Sequence, residues 1–133
     1  MKIVIDTNVF ASGVYWKGPP YRILQMWESG RFKLVVSPPI LDEYRRVLIE
    51  LSIHRPGIQF ERALALIDLH ADVVKPIKFA HPICSDPDDD KFLGTALSAG
   101  ASYVITGDKA LLKQNGFRDL QVLSPKSFLN ITQ

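Results

Sequence analysis

Short runs of apolar residues, separated by stretches with helical periodicity, restrict the fold of this chain more than anything else in it. Lys2-Ile3-Val4-Ile5 leads into Asp6, and Phe32-Lys33-Leu34-Val35-Val36-Ser37 and Tyr103-Val104-Ile105-Thr106 are built the same way. A last run spans about Leu120–Leu123, and Val73-Val74 fits a short strand blunted by Pro76. Strands that are apolar throughout, rather than at every second residue, belong to parallel sheets covered on both faces. Between them lie the helices such a sheet requires. Pro19-Pro20 with Ile23, Leu24 and Trp27 predicts a helix ending at Gly30. Pro38-Pro39, behind Ser37, opens another, in which Ile40, Tyr44, Val47 and Leu51 form an apolar stripe. Phe60, Leu64, Ile67 and Ala71 mark a third. The connection Ile83 to Pro87 leads into a helix through about Ala99, and a short one runs from about Lys109 toward Gly116. The expectation is a single α/β domain over residues 1–133, a three-layer sandwich around a central parallel sheet.

The composition agrees with that reading. A chain of 133 residues, 47% apolar and 23% charged, suits one globular domain. No apolar stretch approaches the ~20 residues of a membrane span, and the opening run is too short for a signal peptide. One cysteine, Cys84, excludes an intramolecular disulfide and a cysteine zinc cluster. Residence in the cytoplasm is the resulting expectation. The net charge of +2 is weak, but sequestering several acids in one site would leave a more basic surface for a polyanion.

Asp6 and Asp108 stand at strand exits, where open α/β sheets bind ligands. Glu43 and Asp90 each lie near the start of a helical pattern, and a parallel sheet can gather all four at one end. Two like charges about 4 Å apart repel by roughly 4 kcal/mol at an effective dielectric near 20. Such a pocket therefore needs raised pKa values, nearby cations or a divalent metal. Oxygen-only ligands select Mg²⁺ or Mn²⁺ over zinc, and such ions serve phosphodiester hydrolysis. Asp6 and Asp90 are the expected direct ligands, with Glu43 and Asp108 completing a second site or holding metal-bound waters. Asn8, Asp86 and Thr106 are accessory candidates: Asn8 to orient Asp6, Asp86 at the rim, Thr106 from its strand end.

Each candidate also has a structural reading. Asp6, Asn8 and Asp108 suit turns and caps, and Thr106 is an ordinary strand residue. Asp86 before Pro87 reads as a helix cap, while Asp88 and Asp89 complement a helix dipole. Asp90 differs, because it shares a face with Leu93, Gly94 and Leu97. His54, His70 and His81 share no strand exit and read as surface or packing residues. Tyr15 and Trp16, read as a loop beside Lys17, are candidates for stacking on unpaired bases, and Trp27 for packing. Arg45, Arg46, Lys109 and Lys113 could meet phosphates or simply be solvated. Two other functions fit the acids: a receiver-like Mg²⁺-binding phosphoacceptor using Lys109, or a non-catalytic RNA-binding module.

Taken in order, Ile-Val-Ile-Asp-Thr-Asn, Ser-Pro-Pro-Ile-Leu-Asp-Glu, Asp-Pro-Asp-Asp-Asp-Lys-Phe and Tyr-Val-Ile-Thr-Gly-Asp resemble the PIN domain family across nearly the whole chain. They are most similar to its prokaryotic toxin branch, akin to VapC ribonucleases. The resemblance implies an α/β/α fold and Mg²⁺- or Mn²⁺-dependent endoribonuclease activity on RNA, expected to be single-stranded. It also implies homodimers and a cognate antitoxin as a separate protein. Position by position, the family's acidic quartet falls on Asp6, Glu43, Asp90 and Asp108, and its polar threonine or serine on Thr106.

Overall fold

The apolar runs form the strands expected of them. The computed structural model describes residues 1–132. Strands β1 (Lys2–Ile5), β2 (Lys33–Val36), β3 (Asp72–Val73), β4 (Tyr103–Ile105) and β5 (Gln121–Leu123) make one parallel sheet in the order β3-β2-β1-β4-β5. Ile3, Val4, Ile5, Leu34, Val35, Val36, Val104 and Ile105 are all fully buried, so the central strands are covered on both faces.

The chain steps from β1 to β2 to β3, then returns across both to place β4 on the other side of β1. Right-handed crossovers turn that reversal into two helical layers. One holds α1 (Thr7–Tyr15), α2 (Pro19–Glu28), α3 (Pro38–Ser52) and α4 (Phe60–His70). The other holds α5 (Asp90–Ala99), which packs over β1, β2 and β4, and α6 (Lys109–Leu112). α7 (Pro125–Thr132) packs against α2. The result is the three-layer α/β/α sandwich. Among the described residues no helix is long and apolar enough to cross a membrane.

Helix α1 is the element that the sequence hid. Asp6-Thr7-Asn8 suits a turn or a helix cap and Tyr15 and Trp16 read as a loop, while Thr7, Val9, Gly13 and Val14 are poor helix formers. Tertiary packing overrides that preference. Phe10 stacks on Tyr44 of α3 with centroids 4.3 Å apart, and it tilts against Trp27 of α2. Gly13 has no side chain because a Cβ there would lie 2.6 Å from Leu24 and 2.9 Å from the Pro20 carbonyl oxygen. Tyr15 is therefore a core residue. It is buried, and its hydroxyl donates to the Leu48 carbonyl at 2.7 Å, which removes it as a stacking platform. Trp16 remains exposed, with the Arg55 guanidinium 5.5 Å from its ring. In α3 the deepest stripe is Ile40, Tyr44 and Leu48, a spacing of four, with Val47 and Leu51 half-buried beside it.

Candidate active site

The direction of strand order changes between β1 and β4, and both strands end in the same crevice. Asp6 leaves β1 there. Its backbone N–H still donates to the Ile105 carbonyl at 2.9 Å, so it sits one residue beyond the ladder. One carboxylate oxygen caps α1, accepting from the Val9 N–H at 2.9 Å, and the other accepts from the Thr106 hydroxyl. Thr106 in turn accepts from the Asp108 N–H at 3.0 Å, tying the exits of β1 and β4 together. Of the two residues that suit a cap here, Asp6 and Asn8, it is Asp6 that caps α1. Asn8 lies exposed in the first turn of α1, at the cavity wall.

Burial pushes the Asp6 carboxyl up to about 6, and the charges of Asp108 and Glu43 add to that. The hydrogen bonds from Thr106 and Val9 oppose the shift without cancelling it. Glu43 reaches the same crevice from α3. It accepts from the Thr7 hydroxyl at one oxygen and from Lys91 Nζ, 2.9 Å away, at the other. Asp108 is exposed and caps α6 through the Ala110 N–H at 3.0 Å.

The run of acids from Asp86 to Asp90 divides differently from its sequence reading. Pro87–Asp89 is a 3₁₀ turn, and the α-helix begins only at Asp90. That shift in winding points the Asp90 side chain back at the preceding connection. Its two oxygens accept from the Ile83 N–H at 3.0 Å and the Cys84 N–H at 2.8 Å. Burial alone would raise its pKa, but those two donors outweigh burial and hold the carboxyl below its ordinary range. Its half-buried neighbour Asp89 lines the cavity instead. Desolvation, with the charges of Asp108 and Asp86, pushes Asp89 up to about 6. Asp86 caps the turn through the Asp88 N–H at 3.0 Å and also lines the cavity. Asp88 pairs with Lys91 at 2.9 Å, and that contact lowers its pKa.

The cavity, of about 300 Å³, is bounded by Asp6, Glu43, Asp86, Asp88, Asp89 and Asp108, with Arg46 at its edge. The structure thus brings together Asp6, Glu43 and Asp108, seats Asp86 beside them and Thr106 beneath them, and turns Asp90 away. Asp89, expected to complement the helix dipole, lines the cavity, and Lys91 reaches Glu43 across it. The signal for Asp89 was faint: a proline-led acidic run favours a tight first turn, and one residue of rewinding exchanges the faces of neighbours. A pocket of about 500 Å³ adjoins this one through Asn8 and Asp108 but holds no other acid, and pockets elsewhere lack this chemistry. One of about 380 Å³ is lined by Trp27, Phe32, Leu66 and His70, with no cluster of acids. His54, His70 and His81 are all exposed and stay apart from the crevice.

All-oxygen donors facing an open, water-accessible cavity are what a hard divalent cation takes. Burial first, and the neighbouring charges after it, push two of the carboxyls up to about 6, a cost that such a cation would relieve. As placed, no three His, Cys, Asp or Glu side chains among the described residues converge tightly enough to enclose an ion. Closure on a metal therefore requires rotamer changes, for which exposed Asp108 and half-buried Asp89 have room.

The chain is similar to known proteins along most of its length. An uncharacterized protein of Methanocaldococcus jannaschii, MJ1680, is 31% identical over 141 aligned residues, covering 97% of this chain and 90% of the relative. The family description "PIN domain" matches residues 2–110, a span holding β1 through β4 and every acid of the cavity. PIN domains are generally nucleases, and this chain belongs to the PIN domain family.

Proposed function

We propose that the protein is a metal-dependent endoribonuclease, hydrolysing phosphodiester bonds of single-stranded RNA at the crevice beyond β1 and β4. The observation that carries this reading is the crowding of six carboxyl groups at the strand-order reversal of a PIN domain. Mg²⁺ or Mn²⁺ held by Asp6, Asp89 and Asp108 would polarise a phosphoryl oxygen and lower the pKa of a bound water. The residues' own work is positional and electrostatic. Thr106 and the Val9 N–H fix the Asp6 carboxylate, so its orientation is set before any ligand arrives. Without an ion, burial and the neighbouring charges push Asp6 and Asp89 up to about 6, and a bound dication would hold both as carboxylates. Arg46, at the cavity edge and 3.8 Å from Glu43, can meet a neighbouring phosphate. Asp90 acts through the backbone, holding Ile83 and Cys84 so that the turn carrying Asp89 keeps its place.

The test is cleavage of an RNA and DNA panel with Mn²⁺, with and without chelator, beside D6N. Cleavage of RNA to products ending in 5′-phosphate, abolished by chelator and by D6N, is the expected result. Activity that survives both would sink the proposal. The resemblance supports, as further parts of this proposal, a toxin role, a separate antitoxin chain and homodimeric assembly in the cytoplasm. Growth arrest on induction, its relief by a co-expressed partner, and solution mass are their tests.

A further inference from the structure

Lys91 is the one basic side chain that the acidic crevice has drawn in among the described residues with most of its surface covered. Its side chain is 10% exposed, against 61% for Arg46. Nζ donates to Glu43 Oε2, to the Asp88 carbonyl oxygen and to Asp88 Oδ2, each at 2.9 Å. An ammonium has three donors, so all three are engaged with oxygens of the pocket wall. Phe92 lies behind it, with its ring centroid 5.0 Å from Nζ. Glu43 thus accepts from the neutral Thr7 hydroxyl at one oxygen and from this ammonium at the other.

We propose that the Lys91 ammonium is a built-in cation that occupies the Glu43–Asp88 side of the pocket and limits it to one divalent ion, on the Asp6–Asp89–Asp108 side. This inference rests on the metal reading above and adds to it the number of ions and the reason for that number. A two-ion centre needs a second group of carboxylates free of fixed positive charge. Here Glu43 and Asp88 already neutralise a tethered cation. Asp6, by contrast, receives only neutral donors, so its negative charge is left for an ion to neutralise. A second dication on the Glu43 side would have to displace Lys91 or sit against it.

The test is calorimetric titration of the full chain with MnCl₂ near neutral pH, together with thermal unfolding of each variant. We expect one Mn²⁺ per chain for the wild type and for K91R, and two for K91M. In E43Q the first ion should still bind, with its Kd weakened by less than about tenfold, because Glu43 acts on it through charge across the cavity and is not its ligand. One ion per chain in folded K91M, or two in the wild type, overturns the inference while leaving the metal reading intact. If K91M does not fold, E43Q decides: loss of the first ion by tenfold or more overturns it. No Mn²⁺ bound by the wild type removes this inference and the metal reading together.

Discussion

Asp89 and Asp90 are adjacent, chemically identical and opposite in role. Asp90 is held below its ordinary pKa range because two backbone donors outweigh its burial, and Asp89 is raised to about 6 because burial and two like charges act on it. Helical periodicity placed Asp90 correctly at the head of the buried face of α5, with Leu93 and Gly94 below it. Periodicity says nothing about the 3₁₀ turn before the helix, which is why Asp90 is the expected lining residue where Asp89 lines the cavity. Asp6 and Asp108 were legible because a strand exit is fixed by the length of an apolar run. Lys91 was not legible, since its partner Glu43 lies 48 residues away. Replacing Asp90 by alanine leaves two partly buried amides without acceptors, each worth about 1–3 kcal/mol. Chemical denaturation of D90A should show a loss in that range or larger, and an unchanged midpoint would contradict the assigned role.

At the scale of elements, α5 is the member that relates the acidic turn to the sheet. It packs over β1, β2 and β4, and its approach to the segment after β3 is set by Gly94. A Cβ at Gly94 would stand 2.3 Å from the Ile77 carbonyl oxygen, and the Ile77 N–H donates to the Gly94 carbonyl at 3.1 Å. The backbones meet where only glycine fits. G94A should therefore lower stability by at least about 2 kcal/mol through overpacking, seen as a fall in Tm with little change in helix content. A G94A protein as stable as wild type would show that the two segments can separate freely. The strands and α2 to α5 were foreseen from apolar runs and proline starts, because burial dictates both. Helix α1 was not foreseen, since its stability comes from Phe10, Tyr44 and Leu24 contacts across the fold rather than from its own propensity.

Across the whole molecule the crowded carboxyls make stability depend on pH. Asp6 and Asp89 have folded pKa values above their unfolded ones, so between about pH 4 and 6 the native state binds more protons. Stability must then fall as pH rises through that window and level off above it. For Asp6, which is 5% exposed, the fall is on the order of 3 kcal/mol. Asp88 and Asp90 are shifted the other way, so their contribution disappears as pH drops below about 4. The metal-free protein should be most stable near pH 4 to 5, and D6N should flatten the decline toward pH 7. Thermal unfolding across pH checks both, and a Tm that climbs steadily from pH 4 to 7 would contradict them.

The paired substitutions D89N and D90N separate the carboxylate that faces the crevice from the one that braces the loop. The measurement is the initial rate of cleavage of one labelled single-stranded RNA at saturating Mn²⁺, per folded molecule. We expect D89N to lose about a hundredfold or more and D90N, which keeps an acceptor oxygen for one of its amides, to stay within about tenfold of wild type. The reverse order would contradict this assignment of the site, and full activity in both would remove the acid run from the chemistry altogether.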